Sequence, residues 1–141
     1  MKVKFKKLDK RATIPEFKSD DAAGMDITAS GYCWLPPKTV VAVPTGLSVE
    51  IPKGYELQVR PRSGLAMNGT TVFNAPGTID ADYRGEIKVL LYSICMNGVE
   101  IGPGDRIAQL VMNRLPKVEI EEVEELSETK RGEGGFGSTG K

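Results

Sequence analysis

Histidine is absent from the 141 residues, and cysteine occurs only at Cys33 and Cys95. Without an imidazole, Ser-His-Asp and Cys-His catalysis are excluded, and a general base has to be a carboxylate, a lysine, a tyrosine or a thiolate. Two isolated cysteines with no C-x-x-C pair are also too few soft ligands for structural zinc. They read as small buried hydrophobes, with a disulfide as the alternative. A metal used here would be held through oxygen, which favours Mg²⁺ and phosphate chemistry. An excess of one charge is missing as well, because 19 basic side chains balance 19 acidic ones. The basic cluster Lys2, Lys4, Lys6, Lys7, Lys10 and Arg11 is offset by the acidic run from Glu119 to Glu125, so no nucleic-acid partner is expected. No apolar stretch approaches the roughly 20 residues of a membrane span and no secretory h-region is present. A soluble cytoplasmic protein with no membrane partner is therefore expected.

What the chain does have is glycine, concentrated where a core cannot form. Residues 131–141, RGEGGFGSTGK, hold five glycines, one aromatic ring, two hydroxyls and a basic residue at each end. Glycine lets backbone approach an anion closely, Arg131 offers a guanidinium fork, Ser138 and Thr139 offer hydroxyls, and Phe136 offers a flat face for a base. The segment reads as a nucleotide-binding arm, although the same composition also suits a disordered terminus. It matches both G-x-G-x-x-G and G-x-x-x-x-G-K literally, but neither match lies between a strand and a helix, the context that gives those motifs their chemistry.

The rest of the chain reads as one domain of short strands and turns. Leu47, Val49 and Ile51 alternate with polar residues, as do Tyr55, Leu57 and Val59, and Pro52-Lys53-Gly54 between them predicts a hairpin. Further strands are predicted at Thr39 to Val43, Glu86 to Tyr92, Arg106 to Met112 and Val118 to Val123. One short helix is predicted from about Ser63 to Met67, with Ser63 as its N-cap. Many strands and almost no helix predict an all-β sandwich or barrel over residues 1–126, followed by a linker and arm over residues 127–141.

Several constellations carry chemistry. Arg60-Pro61-Arg62-Ser63-Gly64 brings guanidinium groups, a hydroxyl and backbone N–H groups to one spot, which makes an anion site or simply a capped turn. Gly77 to Glu86, GTIDADYRGE, packs several charges and a tyrosine ahead of a strand, and three carboxylates so close together are costly to bury without a role. A solvated turn in which Arg84 pairs an acid is the plainer reading of that segment.

In order, Ala23 to Ile27, Arg62 to Ala66, Gly77 to Gly85, Gly104 to Leu110 and Arg131 to Thr139 resemble the five motifs of the homotrimeric dUTPase family, over nearly the whole chain. The resemblance implies a jelly-roll-like distorted β-barrel, a homotrimer with an exchanged C-terminal arm, and Mg²⁺-assisted hydrolysis of dUTP to dUMP and pyrophosphate. It implies Asp80 as the carboxylate that activates the attacking water, and Tyr83 as the ring against the deoxyribose. Asn74 and a tight hairpin around Gly77, Thr78 and Ile79 would read uracil, and Lys88 would also bind the substrate. Arg62, Ser63, Gly64 and Gln109 would cradle phosphate. Asp26 would join the metal network through water, with no direct protein ligand to the metal. In the arm, Phe136 would stack on uracil, and Arg131, Gly137, Ser138 and Thr139 would hold the distal phosphates. The related dCTP deaminases lack this combination of first motif and complete arm. A non-catalytic module gated by dUTP is the other reading.

Overall fold

The computed structural model describes residues 1–137. Eleven strands and one helix follow in order: β1 (Lys4–Lys7), β2 (Met25–Thr28), β3 (Cys33–Leu35), β4 (Val40–Pro44), β5 (Leu47–Glu50), β6 (Tyr55–Arg60), α1 (Ser63–Met67), β7 (Thr70–Val72), β8 (Gly77–Ile79), β9 (Lys88–Ser93), β10 (Val99–Ile101) and β11 (Arg106–Arg114). The ladders form a four-stranded sheet in the order β2-β11-β6-β8, a three-stranded sheet β4-β9-β7, and the pairs β1-β5 and β10-β3. All the pairings are antiparallel, and the result is an all-β, jelly-roll-like fold. No helix among the described residues is long and apolar enough to cross a membrane.

Period-two alternation decides which side chains meet between the sheets. On β6, Leu57 and Val59 point inward while Gln58 and Arg60 point outward. On β9, Val89 and Leu91 are fully buried beside Ile27, Leu35, Val43, Leu47 and Leu110. In β11 the alternation breaks, with Ile107 and Ala108 both buried, because the register with β2 shifts between Arg106 and Ala108. Two buried hydroxyls at strand ends are satisfied, Thr70 donating to Ser93 at 2.9 Å and Thr45 to the Ile87 carbonyl at 2.6 Å, whereas the buried Thr28 hydroxyl at the end of β2 has no partner among the described residues.

Three local expectations are corrected. The predicted hairpin of Leu47 to Ile51 with Tyr55 to Arg60 does not form. β5 pairs with β1, whereas β6 pairs with β11 and β8. Alternation fixes which face is buried but not which strand is the partner. Here Gly54, at φ +81°, carries the chain from one sheet into another. Val118 to Val123 is not a strand either. Val118 and Ile120 alternate with glutamate, Val123 falls out of phase, and all three are exposed and unpaired among the described residues. Finally, the helix begins at Ser63, so its N-cap is Arg62, in extended conformation and making no side-chain cap. The Arg62 side chain is instead drawn to Asp26, as described next.

Candidate active site

β8 is the outermost strand of its sheet, so one of its backbone edges is left without a strand partner among the described residues. An open edge is a row of fixed N–H donors and C=O acceptors. Beside β8 lies a cavity of about 430 Å³ lined by Val59 of β6, by Asn74, Gly77, Thr78 and Ile79, and by Ile87, Lys88 and Leu90. Asp80, Tyr83 and Glu86 complete its wall. β8 and β9 belong to different sheets, and residues of the chain between them line the cavity.

Each side chain in this wall has a local cause. Gly77 sits opposite Val59. A Cβ built on it would lie 3.3 Å from both Val59 Cβ and Asn74 Nδ2, so glycine is what lets the Asn74 amide close over β8. Replacing Gly77 by alanine is expected to push that amide off its position and to raise KM for the substrate by about tenfold, with a smaller effect on kcat, as steady-state kinetics will show. Tyr83 donates from its hydroxyl to the Glu86 carbonyl at 2.9 Å, and its ring is 44% exposed at the cavity mouth. The Glu86 carboxylate accepts from the Gly46 N–H at 2.9 Å and lies 4.0 Å from Lys88 Nζ. Arg84 pairs with no acid among the described residues. It donates to the carbonyls of Ala81 and Tyr83 at 2.8 and 2.9 Å. Asp80 is exposed, its carbonyl accepts from the Tyr83 N–H at 3.1 Å, and no side-chain partner holds its carboxyl among the described residues.

The phosphate-cradle candidates gather elsewhere. Asp26 sits between two guanidinium groups, Arg62 Nε at 3.0 Å and Arg106 at 3.1 Å, and Arg62 also donates to the Arg106 carbonyl. Arg106 was not singled out from the sequence, where it was one charge in the motif-four stretch; the β2-β11 pairing is what sets it beside Asp26. Gln109 donates to the Pro61 carbonyl at 2.8 Å. Ser63 and Gln109 line a second cavity of about 610 Å³ with Gln58 and Arg60. Because successive side chains of β6 point to opposite faces, Val59 faces the first cavity while Gln58 and Arg60 face the second. One chain thus supplies the two halves of the expected site on two sides of one strand.

In the arm, Arg131 donates to the Gly134 carbonyl at 2.7 Å and Phe136 is fully exposed at φ +51°. Gly137, at φ +87°, has open space around it. None of the three lines either cavity. Ser138 and Thr139 lie outside the described residues.

For a metal, the described residues offer oxygen rather than nitrogen or sulfur, and no group of three or more His, Cys, Asp or Glu side chains converges among them. Both Asp26 oxygens are already engaged by arginine.

Comparison with known proteins bears on these features together. A family model described as dUTPase matches residues 10–140. The chain is 52% identical over 142 residues to the deoxyuridine 5′-triphosphate nucleotidohydrolase of Wolinella succinogenes, covering 100% of this chain and 95% of that protein. It is 53% identical over 142 residues to the protein of the same description from Nautilia profundicola, covering 100% of both. Among solved structures, it resembles the Staphylococcus bacteriophage 80alpha dUTPase with dUpNHpp at a TM-score of 0.86 and 29% identity, over 99% of this chain and 98% of that one. A variant dUTPase of S. aureus phage phi11, whose structure describes coordination of a structural Mg(II) ion, matches at a TM-score of 0.79 and 25% identity, over 89% of this chain and 98% of that one.

Proposed function

The chain belongs to the dUTPase family and hydrolyses dUTP, and from this premise we propose that the cavity along β8 takes the uracil and the deoxyribose. The observation that carries this reading is the open edge of β8 beside the Asn74 amide. A uracil edge carries one N–H donor between two carbonyl acceptors, and fixed backbone groups plus one amide match such a pattern at no cost in side-chain entropy. A site built to pair those groups discriminates against the different edge of cytosine. The Tyr83 ring stands where the sugar packs, leaving little room for a 2′-hydroxyl.

Asp80 stands at the rim of this cavity and acts as the general base. It takes the proton of a water that attacks the α-phosphorus. The bond from that phosphorus to the oxygen bridging to the β-phosphate breaks, and pyrophosphate leaves with the electron pair. Arg62, Ser63, Gly64 and Gln109 hold phosphate oxygens, and the arm residues Arg131, Phe136, Gly137, Ser138 and Thr139 close over the ligand, excluding water from the triphosphate. Mg²⁺ fits an oxygen donor set of this kind: the triphosphate would hold it, Asp26 would assist through water, and the ion would neutralise the triphosphate charge.

The separation of the two halves across β6 supports an assembly in which each active site is shared between copies, a homotrimer with exchanged arms. The outer face of the three-stranded sheet supports it too. Val40, Ala42, Leu90, Tyr92 and Phe73 make it apolar, with the Phe73 and Tyr92 rings 5.7 Å apart. A sheet apolar on both faces is one built to be covered on both.

Pyrophosphate release with Mg²⁺ from dUTP, dCTP, dTTP and UTP, measured in parallel, tests the substrate assignment. Release confined to dUTP is expected, and comparable release from dCTP or dTTP would overturn the reading of the base. Site sharing is tested by mixing two inactive variants, Asp80→Asn and Arg62→Ala, through unfolding and refolding. If the residues serve one site from different copies, random mixing regenerates intact sites and about a quarter of wild-type activity returns. If both act from one copy, activity stays at the level of the separate variants.

A further inference from the structure

Gly85 lies against the Tyr83 ring. A Cβ built on it meets three nearest heavy atoms, all of them Tyr83: the hydroxyl oxygen, Cζ at 2.6 Å and Cε2 at 2.9 Å. Those distances are well inside the roughly 3.5–4.0 Å at which carbon atoms rest against one another. The backbone at Gly85 is not the reason for glycine, because its φ lies outside the left-handed region that the positive-φ glycines of this chain occupy. The ring is the reason.

The ring is also anchored at its far end. Its hydroxyl donates to the Glu86 carbonyl. The Glu86–Ile87 stretch is itself fixed by three hydrogen bonds to the turn between β4 and β5: Gly46 N–H to the Glu86 carboxylate at 2.9 Å, the Thr45 hydroxyl to the Ile87 carbonyl at 2.6 Å, and Ile87 N–H to the Leu47 carbonyl at 2.7 Å. Tyr83 therefore lies across residue 85 with its hydroxyl on an acceptor that does not yield, and its other side turned to the cavity.

We infer that Gly85 is a specificity-determining positioning residue: its missing side chain is what seats the Tyr83 ring at the place where a ribose 2′-hydroxyl is refused. This rests on the reading of Tyr83 as the sugar-facing ring. A methyl group at residue 85 occupies the space of the phenol end, so the hydroxyl leaves the Glu86 carbonyl and the ring swings toward solvent. Rejection of one extra hydroxyl by packing is worth on the order of 10²-fold in kcat/KM, and loss of the ring's seat removes most of it.

The test is a cycle of four proteins, wild type, Gly85→Ala, Tyr83→Ala and the double variant, each assayed for kcat/KM with dUTP and with UTP. Gly85→Ala is expected to lower the dUTP-to-UTP ratio by about tenfold or more, and the double variant to match Tyr83→Ala alone, because Gly85 acts only through the ring. If Tyr83→Ala lowers the ratio and Gly85→Ala does not, the inference on Gly85 falls while the reading of Tyr83 stands. An unchanged ratio in Tyr83→Ala sinks the reading of Tyr83 itself. Additive effects would show Gly85 acting by another route and also overturn the inference. Thermal melting of the same four proteins covers a variant that folds poorly. Removing the ring makes room for the methyl, so the double variant is expected to melt with Tyr83→Ala, and a melting loss that persists without the ring would again overturn it.

Discussion

Asp80→Asn is expected to lower kcat for pyrophosphate release from dUTP by about 10²–10⁴-fold, the usual worth of a positioned general base. That corresponds to about 3–5 kcal/mol of transition-state stabilisation. The substitution keeps the shape of the side chain and removes its capacity to take a proton. It leaves the local backbone alone, because Tyr83 N–H bonds to the main-chain carbonyl of Asp80 and not to its side chain. Little can substitute for the lost base. The chain has no histidine, and of the other titratable groups around the cavity, Tyr83 is bound to the Glu86 carbonyl, Glu86 is bound to Gly46 N–H, and Lys88 lies 4.0 Å from the Glu86 carboxylate. KM for dUTP and the melting temperature should move little, since an exposed side chain without partners contributes within about 0.5 kcal/mol to stability. Single-turnover kinetics with dUTP separates the chemical step from release. A chemical step slowed less than about fivefold would remove Asp80 from the reaction.

Gly46→Ala is expected to cost about 2–5 kcal/mol of stability. Gly46 adopts φ +66°, where an L-residue loses roughly 1–2 kcal/mol, and a Cβ there would lie 2.8 Å from Asp9 Cβ, 3.0 Å from Ala12 Cβ and 3.1 Å from Ser30 Cβ. All three are Cβ atoms, fixed by their own backbones, so no rotamer change relieves the overlap. The segment above is itself held down. Leu8 N–H donates to the Gly46 carbonyl at 2.7 Å, and the Arg11 guanidinium beside Asp9 lowers that carboxyl to about 2. Gly54→Ala is the matched control. It has φ +81° but nothing within 4 Å, so it carries the backbone penalty alone. Differential scanning calorimetry should place Gly46→Ala about 10 °C or more below wild type and Gly54→Ala only a few degrees below. Equal losses in the two would refute the packing argument. Because Gly46 N–H also holds Glu86, the Gly46 variant should lose activity at temperatures where it is still folded.

The sheet was legible where a strand's own alternation decides its burial. Tyr55 to Arg60 is β6 residue for residue, and the short helix covers Ser63 to Met67 as read. Pairing was not legible, because Leu47 to Ile51 and Tyr55 to Arg60 have the pattern of neighbours and lie in different sheets. Val118 and Ile120 begin the same alternation, but Glu122 and Val123 break its phase and the segment forms no strand. The candidate site divides in the same way. Asn74, Gly77, Asp80 and Tyr83 lie within one continuous stretch, so a motif read along the chain also groups them in space. Arg62, Asp26 and Arg106 come from three separate elements. Their meeting depends on the β2-β11 register, and Arg106 escaped notice because nothing local to it signals Asp26. Ser63 was taken for a cap because serine commonly is one, whereas the neighbouring Arg62 supplies the extended N-cap residue and spends its side chain on Asp26.

β6 has Val59 in the wall of one cavity and Gln58 with Arg60 in the wall of the other. A packed strand has almost no compressibility, so the two cavities behave as communicating vessels. Room added on one face of β6 is taken from the other. A bulkier residue at 59 that shrinks the first cavity also leans the strand into the second. One six-residue segment thus supplies part of the wall of both, and a substitution on β6 is felt on two sides.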